Sequence, residues 1–573
     1  MIRNGWTRTA TAGLALAGLI GLAAPAHAQQ ISDARIRELI KEATDPANRL
    51  QTPATVQPGA TGDNRRSVPL TLDDAVRFAL DRNLDIAVQR LNPEINDIVY
   101  ASTKSVYHPA LTSVVSTQST TNPATSTLSG GTQVGQPIVA GLTNYNGGLA
   151  QSIPWGGGAA TIQLNNNKQT TTSANVLYNP TFNTNWSGTY TQPLLRNFTI
   201  DATRRTLQVT KLNRDISDVQ LRSTITNTLS NVRNAYWDYV FSVQAVEVAR
   251  QSLDLAERLV RDNQTRVEVG TMAPIDVVQA QSQSATARQN LVAAQSTMRT
   301  AELVLKRLIV GGTSDPNWSV RLDPVDRPDF VPQTFDIEAA VRRALSERTD
   351  LAIAKKNIDV NDVTLKFLVD QMRPQADFIA TYGLVGLGGT QLVTTGTGVN
   401  REVVGSIPGG YSDALSTLFH TNYPRWTAQI NFSYPLGTSA QEANVARARV
   451  QQNQVQAQMK QIELQVATEV TNAVTTATSN AERVQAAQSA RELAQKQLEA
   501  EQSKFEVGMS TNFNVIQAQR DLATAQNNEL QAILNYRKSL VEVERLQQTT
   551  LQNLNITLVT AGGGVNVANG VGQ

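Results

Sequence analysis

The residues able to do chemistry are few. The chain of 573 residues contains three histidines and no cysteine. His108 stands at a predicted helix end before Pro109 and His420 within a long loop, and neither has metal-ligand spacing or a Ser/Asp partner. Without cysteine there is no disulfide, thiolate metal site or cysteine nucleophile, and no residue for a lipid-anchored N-terminus. Gly386-Leu-Gly-Gly389 does not sit at a strand-to-helix turn and is too weak a signal for phosphate binding. We therefore expect no catalytic, cofactor-binding or metal residues, and no enzyme. With 17% charged residues and net charge +2, nothing biases the chain toward nucleic acid.

What the sequence does carry is a phrase written twice. Arg266-Val-Glu-Val-Gly-Thr-Met-Ala-Pro-Ile-Asp-Val-Val-Gln-Ala-Gln281 returns as Lys504-Phe-Glu-Val-Gly-Met-Ser-Thr-Asn-Phe-Asn-Val-Ile-Gln-Ala-Gln519, at a constant offset of 238. Each copy lies between helical patterns and places a glycine where a helix ends, which predicts the tips of two helical hairpins. The same duplication appears upstream at an offset of 265: Leu80 matches Leu345, Asp85 matches Asp350 and Pro109 matches Pro374. The fall from 265 to 238 leaves 27 extra residues in the first half, between Pro109 and Gly270.

These landmarks divide the chain. Arg3 and Arg8, the apolar run Ala12 to Ala24 and Ala26-His27-Ala28 have the parts of a secretory signal peptide, residues 1–28, cleaved after about Ala28. A polar lead-in covers 29–69, the first repeat 70–310, a Pro-rich linker 311–334, the second repeat 335–551, and a loose Gly/Asn/Val tail 552–573. From Thr71 a helix should run to about His108, interrupted at Pro93.

The middle of each half alternates. Trp426-Thr-Ala-Gln-Ile-Asn-Phe-Ser-Tyr434 has every even residue apolar or aromatic and every odd one Thr, Gln, Asn or Ser. Phe378, Ala380, Tyr382 and Leu384 share a face in the same way, as do Trp186 and Tyr190. Downstream of the signal no apolar run reaches the ~20 residues of a membrane helix, so any membrane passage must be by strands. A half-buried soluble sheet would also alternate. Polar opposite faces, aromatics near strand ends and the signal peptide favour a barrel, with Trp186, Tyr190, Phe378, Tyr382, Trp426, Phe432 and Tyr434 facing lipid. Loops are expected around 119–145 and 388–423, and the stretch 149–164 is an additional hairpin whose place in the barrel the sequence leaves open.

Long helical patterns follow at about 196–266 and 438–504, each spanning on the order of 100 Å, with shorter returning helices of about 55 Å. Two short helices end to end match one long one. Val277, Ala280, Ser284, Ala287, Leu291, Ala294, Met298, Ala301, Leu305 and Leu308 form a coiled-coil seam on the returning helix.

Val269-Gly270 and Val507-Gly508, each followed by Asp276-Val-Val-Gln-Ala-Gln281 or Asn514-Val-Ile-Gln-Ala-Gln519, with Leu72-Asp-Asp-Ala-Val76 and Gln192-Pro-Leu-Leu195, resemble the TolC-like outer-membrane efflux proteins over nearly the whole mature chain. The resemblance implies an α+β membrane protein: an internally duplicated homotrimer sharing one outer-membrane β-barrel, about four strands per chain, continued by a periplasmic α-helical coiled-coil barrel. It further implies an exit duct of a Gram-negative tripartite efflux or type I secretion system. Its partners would be outer-membrane lipid, a periplasmic adaptor and an inner-membrane pump or ABC transporter, with no nucleic acid and no cofactor. Adaptor docking would fall on Val269, Gly270, Thr271, Val507, Gly508 and Met509, unless the glycines are plain helix stops. The periplasmic entrance would be lined by Asp276, Gln279, Asn514 and Gln517, with three Asp276 carboxylates favouring cations, or with Asp276 merely capping its helix. Phe505 and Ser510 stand where some members have latch residues, and Arg258, Arg261 and Arg266 either steer an acidic partner or are solvated charges. The alternative class is a structural coiled-coil protein without transport.

Overall fold

Helix starts follow their caps. Thr71 caps α1 (Leu72–Arg82), accepting from the Asp74 amide, with Asp73 and Asp74 in the first turn. The break then comes at Asn83 rather than at Pro93: Asn83 ends α1 and its side chain accepts from the amides of Asp85 and Ile86 to start α2 (Leu84–Lys104). Pro93 stays inside α2, which is held on the long helix by the Asp97–Arg214 ion pair at 3.0 Å. The computed structural model describes residues 66–125, 136–173, 175–327, 330–396, 402–437, 439–561 and 564–569. The expected signal peptide and nearly all of the lead-in lie outside the described residues.

The long helices α3 (Ala202–Glu268) and α9 (Ala440–Glu506) have 67 residues each. Asp201 caps α3, and Ser439 with Glu442 forms a capping box for α9. Beyond the tips return α4 (Pro274–Ile309) and α10 (Asn512–Leu546). Helix α3 packs on α4 toward the tip and on α2 toward the strands. Asn83 Nδ2 donates to Leu308 O at 2.9 Å, so α2 and α4 meet end to end beside α3. In the second half α6 (Ile337–Glu347) and α7 (Thr349–Gln371) break at Arg348, whose guanidinium bridges Asp350 and Glu469, both at 2.6 Å. Burial alone would raise the Glu469 carboxyl, but hydrogen bonds from Gln465 and Arg348 and the Arg348 charge hold it below its ordinary value.

The largest core lies at this waist. Strand β1 (Ser67–Leu70) pairs in parallel with β6 (Arg321–Pro324), which follows the one-turn helix α5 (Pro316–Ser319). The two strands cover Leu221, Ile225, Leu229, Tyr236 and Tyr239 at the middle of α3. Tyr236 Oη donates to Asp326 at 2.6 Å and lies 3.1 Å from Leu70 O. From the predicted seam, Ala280, Ala287, Met298 and Leu305 are buried.

At the other end lies a seven-stranded antiparallel sheet, more than the expected four strands. Strands β2 (Ala110–Asn122), β3 (Ile138–Ser152), β4 (Ala159–Thr171) and β5 (Tyr178–Pro193) run as a meander into β7 (Gln375–Thr395). The stretch 149–164 thus belongs to the sheet, and much of the expected loop 119–145 is strand. Glycines 141, 147 and 148 and the Asn/Thr content of β3 and β4 dilute the apolar alternation that would have announced them. The far edge of β7 is paired in two pieces, β8 (Glu402–Ile407) and β9 (Pro424–Ser433), separated by a helix, α8 (Tyr411–Phe419). After α10 come the short α11 (Thr550–Asn553) and then β10 (Ile556–Ala561) with β11 (Gly564–Asn569), an antiparallel hairpin where a loose tail was expected.

Candidate functional site

Both hairpin tips close with the same backbone device. Gly270 (φ +81) and Gly508 (φ +79) are left-handed, and the amide after each reaches back to the helix: Thr271 N to Arg266 O at 2.9 Å, Met509 N to Lys504 O at 2.8 Å. Gly270 N to Val267 O and Gly508 N to Phe505 O complete two Schellman closures. The turn thrusts Val269, Val507 and Met509 outward, at 68%, 67% and 75% exposure. No neighbour crowds a Cβ at either glycine, so conformation alone selects it. Gly270→Val and Gly508→Val are expected to weaken their tips by about 1–2 kcal/mol, seen as lost hydrogen-exchange protection at the Thr271 and Met509 amides. Unchanged protection would remove this constraint.

The two tips are joined sideways. Leu259, Ala280, Leu498, Phe505, Val515 and Ile516 make a shared apolar cluster. Arg266 stacks over the Phe505 ring at 4.6 Å, and Arg258 pairs with Asp254 at 2.6 Å, so both arginines have partners within the chain. Ser510 donates to Glu501 at 2.7 Å within its own hairpin. Hydrogen bonds from Lys504 and Ser510 hold the Glu501 carboxyl below its usual value.

Asp276 lies in the first turn of α4, but the cap position is Ala273 followed by Pro274, with no side-chain cap bond. Its carboxylate is placed to favour the helix dipole rather than to cap. Gln279, Asn514 and Gln517 are exposed. Asn514 bonds to Ser510 and Gln517 to Asp521, each on its own hairpin, so these amides do not bridge the tips. The bridge is made instead by two asparagines that sequence reasoning missed. Asn263, fully buried, donates to Asn512 Oδ1 at 2.9 Å, and Asn512 Nδ2 donates to Asp276 O at 3.1 Å. Arg520 adds a bond to Gln283 at 2.8 Å. A signal existed: Ala256, Leu259 and Asn263 follow the 3–4 seam spacing, so Asn263 is a polar residue on an apolar stripe.

The strand register sorts the sheet into two faces. Trp186, Tyr190, Phe378, Tyr382, Trp426 and Phe432 share one face; Asn185, Ser187, Thr189, Thr381, Gln429 and Asn431 share the other. Trp186 meets Tyr382 edge-on at 6.2 Å. Tyr434 lies just past the end of β9, so register assigns it no face.

A family model described as outer membrane efflux protein matches residues 160–311 and 390–547, more than half of the chain. Among solved structures, a membrane protein from Pseudomonas aeruginosa is 16% identical with a TM-score of 0.59, covering 83% of this chain and 90% of that one. The CmeC outer membrane channel of Campylobacter jejuni is 14% identical, TM-score 0.59, covering 84% and 88%. The MtrE outer membrane channel of Neisseria gonorrhoeae, in its open state, is 15% identical, TM-score 0.57, covering 87% and 96%. At these identities the likeness is one of fold. A comparison with curated proteins finds no match. With a family match that runs through both long helices and both tips, the chain belongs to the outer membrane efflux protein family, whose members are channels of the Gram-negative outer membrane and not enzymes.

Proposed function

We propose that this efflux channel is a homotrimer serving as the exit duct of a tripartite efflux or type I secretion system. After export and cleavage near Ala28, three chains would close their sheets into one barrel. The observation that carries this reading is the sheet itself, which has an apolar and a polar face and is bounded by β2 and β9, two edge strands exposed along nearly their whole length. Unpaired strand edges are not tolerated in a bilayer, so β2 and β9 need partners from other copies. Because β8 and β9 pair successive stretches of one edge of β7, each chain is six strands wide at any one level, and a trimer comes to the strand number that leaves an aqueous channel in porins, about 16–18. A structural coiled coil would leave the apolar face unexplained.

The tips would then point into the periplasm. The exposed apolar Val269, Val507 and Met509, flanked by Gly270, Thr271 and Gly508, supply the docking surface for a periplasmic adaptor, which couples the duct to an inner-membrane pump or ABC transporter. Asp276, Gln279, Asn514 and Gln517 would lie at the entrance, with one Asp276 from each chain forming an acidic ring. The test is single-channel conductance of the purified trimer in a planar bilayer. Wild type is expected to conduct with cation preference, and Asp276→Ala to lose much of that preference while the pore remains. Selectivity unchanged by the substitution would remove the ring but keep the duct. Folded trimers that never conduct would overturn the duct.

A further inference from the structure

Charge is nearly absent from the apolar face of the sheet. Between Ala110 and Leu195 the sequence has one charged residue, Lys168. In β7 and β9, Asp377 and Arg425 fall on the polar face, opposite Asn431 and Gly383 in register. Lys168 pairs with Phe182 and so shares the face of Trp186 and Tyr382. Its ammonium rests 5.9 Å from the centre of the Phe182 ring.

Its height is defined by register. Lys168 pairs Phe182, Phe182 pairs Gly388, and Phe432 at the helix end of the sheet pairs Ala376. The twelve residue steps along β7 from Ala376 to Gly388 rise about 40 Å along the strand and about 30 Å along a membrane normal at ordinary barrel tilt. An apolar band of about 25 Å beginning at Phe432 would therefore end just below Lys168. The cation stands at the level of outer lipid headgroups.

At that level α8 leaves the strand line and lies on the same face. A Cβ on Gly386 would fall 2.0 Å from Ala414 O, and one on Gly388 would fall 2.5 Å from Ala414 N, so glycines let the helix backbone reach the sheet. Ala414 and Leu418 are buried beneath it, while Phe419 is 77% exposed and Tyr423 59%. Tyr411 ties the helix to Phe182 and Tyr145 at 6.2 and 5.9 Å. Below lies an apolar groove of about 440 Å³, opened by Gly188, Ala380 and Ala428 between Tyr190 and Trp426.

We infer that Lys168 and α8 form a binding site for a phosphate-bearing acyl lipid of the outer leaflet, its phosphate on Lys168 and its chains along Phe419, Tyr423 and the groove. The occupant follows from a cation that, among the described residues, is single at the end of an apolar face, beside a helix whose last residue, Phe419, and following turn, at Tyr423, present aromatics outward, the pattern of an interfacial anchor. This inference rests on the outer-membrane reading above.

The test is native mass spectrometry of the full trimer in detergent. It would be titrated with dioleoylphosphatidic acid and, separately, with dioleoylglycerol, which has the same chains, and with inorganic phosphate as competitor. Wild type is expected to prefer the phosphorylated lipid by about fivefold. Lys168→Gln should erase that preference, and Phe419→Ser should weaken binding of both lipids. Equal binding of the two lipids by wild type, an unchanged preference in Lys168→Gln, or displacement by inorganic phosphate would each overturn the lipid site. Conductance of the same preparations reads the duct separately: conducting trimers without lipid preference sink only this inference.

Discussion

Lys306→Met is expected to destabilise the chain by about 3–5 kcal/mol and, on the homotrimer reading, to cut the yield of assembled trimer sharply. Lys306 is fully buried near the end of α4 and pairs with the equally buried Glu302 at 2.8 Å. It also donates to Trp318 O at 3.1 Å, and Glu302 accepts from Leu322 N at 3.3 Å. The pair thus pins the linker, through α5 and β6, against the waist where α2, α3 and α4 converge. Taking away the ammonium leaves the Glu302 carboxylate in a low-dielectric site without its ion-pair partner, and that desolvation cost dominates the effect. The double variant Glu302→Leu/Lys306→Met removes both charges and should recover the ion-pair part of the loss, while Trp318 O and Leu322 N still lose their side-chain partners. Thermal unfolding followed by helical signal, with trimer fraction by size exclusion, checks this. A single variant as stable as wild type, or a double variant worse than the single, would falsify the account.

The helical frame was legible because its signals are local and repeated. The glycine at the end of a basic-to-Val-Gly phrase predicts a helix stop, and both tips close at those glycines with the same bonds. Thr71 capped its helix as read. The break at Asn83 is less conspicuous in the sequence than Pro93. Yet a proline inside a packed helix loses one bond, whereas asparagine both ends one helix and starts the next with its own side chain. In the sheet, β9 announced itself through strict alternation; β3 did not, since its apolar face includes Gly147 and Thr143 beside Tyr145 and Leu149. Helix α8 was hidden inside a stretch read as loop. Its seating depends on Gly386 and Gly388, far away in sequence, and the contact between them exists only once the strands pair. The tip bridge failed for a related reason. Asn512 and Asn514 are two positions apart, and only packing decides which is buried.

That distinction gives the last prediction its form: on the duct reading, Asn512→Ala is expected to open the entrance, whereas Asn514→Ala and Gln517→Ala leave it closed. Removing the Asn512 side chain costs the bond from Asn263 and the bond to Asp276 O together, leaving the buried Asn263 amide only its long 3.5 Å bond to Asp276 O, at about 1–3 kcal/mol per chain. Asn514 and Gln517 bond to their own hairpins at the surface, so their loss does not change how the two tips meet. If the tips have a joined and a parted arrangement, about 2 kcal/mol shifts the balance by a factor of about 30 in each chain, and more if three chains move together. The readout is open probability in single-channel records. The double variant Asn263→Leu/Asn512→Leu separates bonding from bulk: with both amides gone, two leucines extend the seam made by Leu259, Val515 and Ile516, and the entrance should close again. An Asn512→Ala channel that opens no more than wild type, alongside an Asn514→Ala channel that opens freely, would move the gate from the buried bridge to the exposed amides.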